Sequence, residues 1–215
     1  MIKQLAYGYP FKPSNGCFGY SSCFLIDDNK KILFDTGAYN IRSVIYNILN
    51  EVECVVISHL HFDHCSNLDL FINTGIPIYI SKKELDYYEK NKNNDIDLFS
   101  YFDYIKDFLN IIPIAKPINL SLNTNIIFTP GHTPGHLSLT IKDDSNNIIL
   151  AGDSIKTYID YNNEKLYGNA YCKEDYIKTK KQIKEKFNVI YPGHSNSIVN
   201  GVESNKMEVK EFWKK

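Results

Sequence analysis

Three histidines and an aspartate crowd into six residues, His59-Leu60-His61-Phe62-Asp63-His64, directly after the apolar run Cys54–Ile57. A run that short and apolar reads as a buried strand. Titratable groups packed this tightly at its end are expensive to bury without a use. The construction then recurs along the chain. Thr129-Pro130-Gly131-His132-Thr133-Pro134-Gly135-His136 follows the strand-like Asn125–Phe128, Ala151-Gly152-Asp153 ends Ile148–Leu150, and Tyr191-Pro192-Gly193-His194 closes Val189–Tyr191. All six histidines belong to this series. Such a chain must fold so that several strand ends meet at one place, where loops from a rigid scaffold can converge. The Pro-Gly pairs supply stiff turns that hold a side chain in position.

Within the first cluster, His59, His61 and Asp63 share a parity in extended backbone and His64 breaks it. This suggests two adjoining metal sites, one built on His59 and His61 and the other on Asp63 and His64. Imidazole nitrogen and carboxylate oxygen are the donors zinc takes at catalytic sites, where a coordination position stays open. His132, Asp153 and His194 join them as candidate ligands. His136 begins the next strand and reads as a residue that supports a ligand.

The remaining pattern is mixed. Strands are predicted at Ile2–Gly8, Tyr20–Ile26, Lys31–Phe34, Ile76–Ile80 and Leu137–Ile141 as well. Helices are predicted over Ile41–Leu49, in two stretches between Lys82 and Leu109, over Lys173–Phe187, and over Glu203–Trp213 at the end. Strand runs with scattered helices indicate a layered α/β or α+β sandwich. No internal repeat, Pro-rich linker or charge block divides the chain, so residues 1–215 read as a single domain with an aromatic-rich helical insertion at about 82–110. That insertion carries Tyr87, Tyr88, Phe99, Tyr101, Phe102, Tyr104 and Phe108. They are expected to pack its helices onto the sandwich, with some lining a pocket wall or a homodimer surface.

Composition enters as an exclusion. Lys plus Arg (24) nearly cancels Asp plus Glu (25), leaving a formal charge of -1, which is not the basic footprint of a nucleic-acid binder. No apolar run is long enough for a bilayer span and no signal-peptide pattern opens the chain. The five cysteines, Cys17, Cys23, Cys54, Cys65 and Cys172, form no CxxC pair and are expected as free thiols in a reducing cytoplasm. Cys65 stands beside the cluster, as a packing residue or a redox-sensitive thiol.

With HxHxDH at His59–His64 followed in order by His132, Asp153 and His194, the sequence resembles the metallo-β-lactamase superfamily. The resemblance runs from about Cys23 to His194 and includes Leu33-Phe34-Asp35-Thr36-Gly37. In motif it is nearest to N-acyl-homoserine lactonase-like and glyoxalase II-like members. It implies a four-layer αβ/βα sandwich with two metal ions at one edge. By position, His59, His61 and His132 would bind one ion, Asp63, His64 and His194 the other, and Asp153 would bridge them, with Asp35 supporting a ligand. The implied activity is that of a dinuclear, zinc-dependent hydrolase acting on an ester, lactone or thioester-type small molecule. Two adjacent cations lower the pKa of a bridging water and so supply hydroxide at neutral pH, with Asp63 and Asp153 as the catalytic carboxylates. The lactonases carry a tyrosine shortly after the bridging aspartate. Here Lys156 stands at that offset and Tyr158 two positions further on, as candidate substrate residues. The same donors suit iron or manganese, so a mononuclear iron oxidoreductase, similar to the persulfide dioxygenases of the superfamily, is the alternative.

Overall fold

The computed structural model describes residues 1–11, 18–143, 145–166 and 168–204. Cys17 and all but the first two residues of the closing helix expected over Glu203–Trp213 lie outside the described residues. Val202–Glu203, where that helix was expected to begin, pair instead as a short strand with Ile198–Val199.

Two sheets carry the fold. In the first, the strands run in the order Ile2–Ala6, Cys23–Asp27, Lys31–Phe34, Cys54–Val56, Pro77–Ser81, Asn110–Ile114. In the second the order is Val202–Glu203, Ile198–Val199, Val189–Pro192, Asn147–Gly152, Leu137–Lys142, Thr124–Phe128, Ile118–Asn119. Every described strand up to Ile114 that enters either sheet belongs to the first, and every one from Ile118 onward to the second. The helices are α1 (Arg42–Ile48), α2 (Phe62–Cys65), α3 (Lys82–Asn91), α4 (Phe102–Ile105), α5 (Tyr158–Asn162) and α6 (Lys173–Lys186).

Alternation along the strands explains the layering. Successive side chains point to opposite faces, and both faces of these strands are apolar, as in sheets covered on two sides. From Lys31–Phe34, Ile32 and Phe34 enter the space between the sheets, while Leu33 points outward to a cluster shared with Ile45, Phe71, Tyr88 and Phe102. From Asn147–Gly152, Ile148 and Leu150 face inward, while Ile149 and Ala151 face outward onto Ile155 and Ile183. The outer clusters place α1, α3 and α4 over the first sheet and α5 and α6 over the second, which gives the αβ/βα sandwich. Helix α6 fits this role because Tyr176, Thr179, Lys180 and Ile183, spaced at three and four residues, form its buried face. Glu174 and Asp175 in its first turn and Lys184 and Lys186 in its last complement its dipole.

The segment expected as an insertion is the crossover between two parallel strands, Pro77–Ser81 and Asn110–Ile114. Its aromatics divide. Tyr88 and Phe102 are buried in the outer cluster, whereas Tyr101, Tyr104 and Phe108 are exposed. Asn110–Ile114, which is not among the strands expected from the sequence, contains Pro113. It tolerates the proline at the edge of the sheet, paired on one side only.

Candidate metal centre

Strand direction brings the candidate residues together. Lys31–Phe34, Cys54–Val56 and Pro77–Ser81 are parallel neighbours, so Asp35, the His59 cluster and Glu84 all leave the same edge of the first sheet. In the second sheet, Asn147–Gly152 and Val189–Pro192 are parallel. Thr124–Phe128, two antiparallel steps away, runs in the same sense. Their ends deliver Asp153, His194 and His132 to the corresponding edge.

The side chains form two adjoining groups. His59, His61 and His132 can bring ligand atoms within 4.8 Å of one another, as can Asp63, His64 and His194, and as can His59, His64 and Asp153. His132 Nε2 lies 3.1 Å from His61 Nδ1. Asp63 Oδ2 lies 3.5 Å from His194 Nε2 and 3.6 Å from His64 Nε2. The Asp153 carboxylate stands between the groups. Its Oδ1 is 3.1 Å from His194 Nε2 and 3.3 Å from His64 Nε2, and its Oδ2 is 3.4 Å from His132 Nε2 and 3.3 Å from His194 Nε2. The Asp153 Oδ1, His59 Nε2 and His64 Nε2 atoms are buried without a hydrogen-bond partner. Orphaned buried donors and acceptors are costly. Nitrogen and carboxylate oxygen converging in this way are a donor set for a divalent cation, so the residues fit a metal centre.

The nitrogens turned away from the cluster face oxygen. Ser58 Oγ is 2.9 Å from His59 Nδ1, Asp35 Oδ2 is 2.7 Å from His64 Nδ1, the Asn169 carbonyl is 3.3 Å from His132 Nδ1, and the Tyr20 carbonyl is 3.1 Å from His194 Nδ1. Such partners fix the ring and its tautomer. Asp35 is fully occupied in this work. Its carboxylate also accepts from Ser58 N and Ser58 Oγ, and its backbone is held at φ 58° to aim it there, a left-handed conformation that aspartate tolerates better than most residues.

His136 is held apart from the ligand set. Its Nε2 accepts from Asp153 N at 3.1 Å and its Nδ1 lies 2.9 Å from Thr129 Oγ1, so it fixes the backbone that carries the carboxylate. Lys156 stands close by, its ammonium donating to the same Asn169 carbonyl that faces His132. Tyr158 does not join the site. It packs against the outer cluster of the second sheet with its ring stacked on Tyr161, because Thr157 caps α5 and starts the helix away from the edge. Cys65 is buried, donates to the His61 carbonyl at 3.1 Å, and has its thiol pushed up by burial, which is the setting of an unreactive packing cysteine.

Burial sets the electrostatics. It holds His59 and His132 well below the ordinary histidine range and drives His136 down to about 3. The same burial acts against the charged form of His64, but Asp63, Asp35 and Asp153 outweigh it and raise this group. Burial likewise opposes ionisation of Asp153, and the imidazoles of His194, His64 and His132 overcome it, holding the carboxyl well below its usual range.

Two supporting carboxylates were not singled out from the sequence. Glu84 is buried on α3, accepting from Leu60 N at 3.1 Å and from Thr133 Oγ1 at 2.6 Å, so it ties the His59 loop to the His132 turn. Asp95 lies 3.7 Å from His61 Nε2. Both sit in charged or polar runs, Lys82-Lys83-Glu84 and Asn93-Asn94-Asp95, that read as solvated surface. An acidic residue one turn into a helix that follows a buried strand was the available signal for Glu84.

The chain is similar to several known proteins. The chain is 29% identical over 182 residues to a beta-lactamase-like protein 2 homolog of Caenorhabditis elegans, covering 81% of this chain and 55% of the relative. It is 33% identical over 115 residues to an N-acyl homoserine lactonase of a Bacillus species, covering 51% of this chain and 41% of that enzyme. It thus spans about half the length of these two relatives. Among solved structures, an N-acyl homoserine lactone hydrolase with its product N-hexanoyl-L-homoserine bound at the catalytic metal centre superposes with a TM-score of 0.69. The match is at 21% identity and covers 90% of this chain and 92% of the other. The sequence profile of the metallo-beta-lactamase superfamily matches residues 18–194. The chain belongs to the metallo-beta-lactamase superfamily.

Proposed function

We propose that the protein is a hydrolase of ester, lactone or thioester-type small molecules that works with two zinc ions. His59, His61 and His132 would hold one ion, and Asp63, His64 and His194 the other. The observation that carries this reading is the placement of Asp153, whose carboxylate lies between the two groups, with Oδ2 3.4 Å from His132 Nε2 of one and Oδ1 3.3 and 3.1 Å from His64 and His194 Nε2 of the other. Bound there, a pair of divalent cations supplies Lewis acidity and an activated water at neutral pH.

The chain's own residues organise the rest. His59 and His64 are fully buried and form the floor, while His61, Asp63, His132 and His194 retain some exposure, so substrate approaches from their side. Asp63, on that open side, is the carboxylate placed to take a proton from the attacking water and pass it to the leaving alkoxide or thiolate. Lys156 brings a cation to the rim beside His132, where it can pair with a substrate carbonyl oxygen as negative charge develops. The lactonase relative makes lactones the first substrates to try.

The test is elemental analysis of protein purified without added metal, followed by hydrolysis assays on lactones, thioesters and esters. About two zinc ions per chain and turnover in one class is the expected result. About one iron per chain, with oxygen uptake on persulfides, would replace this reading with the oxidoreductase alternative.

A further inference from the structure

The histidines of the centre divide by the nitrogen they turn inward. His132 and His194 aim Nε2 at the cluster, and His59 and His64 do the same while their Nδ1 atoms face Ser58 and Asp35. His61 is inverted. Its Nδ1 faces His132 at 3.1 Å, and its Nε2 is buried, without a hydrogen-bond partner, 3.7 Å from Asp95 Oδ2. That distance is ion-pair reach and longer than a hydrogen bond, so the carboxylate acts on this ring through charge and orientation.

Asp95 is braced for the task. Tyr87 Oη donates to the same Oδ2 at 2.7 Å, and Oδ1 accepts from Asp97 N at 3.1 Å. The backbone on either side is pinned to the ligand loop: Phe62 N donates to the Asp97 carbonyl at 2.8 Å, and Phe99 N to the Leu60 carbonyl at 2.9 Å. Leu98 forms a β-bridge with His61 itself. The crossover over the first sheet therefore carries one carboxylate to the outward nitrogen of one ligand.

We propose that Asp95, held by Tyr87, is the positioning residue of His61. It favours the tautomer with the proton on Nε2 and leaves the Nδ1 lone pair aimed at the group formed with His59 and His132. Which ring nitrogen coordinates is set by what the other one meets, and loss of such a partner typically weakens metal binding about 10- to 100-fold. The proposal rests on the two-ion reading above.

Chelator competition on the full-length protein, reloaded with zinc, tests it alongside melting of the metal-free form. In Asp95→Asn, which keeps the size of the side chain and an oxygen for its neighbours, one of the two ions should be held roughly 10- to 100-fold more weakly. The other ion and the metal-free melting temperature should stay as in the wild type. Tyr87→Phe should weaken the same ion by a smaller factor, and it decides the matter if Asp95→Asn does not fold. Wild-type affinities in both variants would overturn the proposal, and so would equal weakening of both ions with a lower metal-free melting temperature. If the wild-type protein itself takes up no metal, the metal-centre reading fails first.

Discussion

Single atoms decide much of this site. A Cβ built on Gly193 would stand 2.1 Å from Asp153 Oδ1, so any side chain there must displace the carboxylate between the two groups. Gly193→Ala should weaken zinc binding at least about tenfold, the low end of what disturbing a ligand's surroundings costs, with little change in metal-free stability. Competition with a zinc chelator measures it. His136 gives a pH signature. Its pKa falls from an unfolded value near 6.5 to about 3, so the folded state keeps it neutral. The stability it contributes is present above pH 6.5 and is lost as pH falls, by about 1.4 kcal/mol per unit until the folded pKa is reached. His59 and His132 shift in the same direction, so the effect of His136 is read as a difference. Urea unfolding of the metal-free protein between pH 6 and 4 should lose roughly 1.4 kcal/mol per unit of its acid slope in His136→Gln. An unchanged slope would mean that His136 is not held neutral.

At the scale of elements, the crossover between Pro77–Ser81 and Asn110–Ile114 joins two kinds of aromatic residue that look alike in sequence. Phe102 is fully buried beside Tyr88, with ring centroids 5.1 Å apart, while Tyr101 is half exposed and stacks on Tyr104. Phe102→Ala should cost about 3–5 kcal/mol, as truncations of buried phenylalanine do. Tyr101→Ala should stay within roughly 0.5 kcal/mol, as surface changes do. Denaturant titration of both variants separates them. This element also shows how far the sequence could be read. Strands with alternating or continuous apolar residues, such as Lys31–Phe34 and Leu137–Lys142, were visible because burial imposes a period on the sequence. The strand ends rich in histidine were visible because such residues are seldom placed beside buried strands without a role. Asn110–Ile114 was not legible, since the edge position that tolerates Pro113 is a property of the sheet. Glu84 and Asp95 were hidden because a carboxylate's burial depends on which loop folds over it.

For the molecule as a whole, the centre draws on both sheets. The ends of the first supply His59, His61, Asp63 and His64, and the ends of the second supply His132, Asp153 and His194. Ligand that binds only the folded state stabilises it, by about 4 kcal/mol at a thousandfold excess over the dissociation constant. For a chain of this length that corresponds to a melting temperature roughly 10 °C higher. Stripping the protein with a chelator should lower its melting temperature by that amount, and zinc should restore it. No helix among the described residues is long and apolar enough to cross a membrane.

The separation of the sheets along the chain has a further use. Ala115, Lys116 and Pro117, which pass from one sheet to the other, are exposed. Cut at that point, the polypeptide becomes two fragments that carry four and three of the proposed donors and share a largely apolar interface. Expressed separately, they make a split protein whose reassembly should answer to zinc concentration, so that a reporter divided between them would read out the ion.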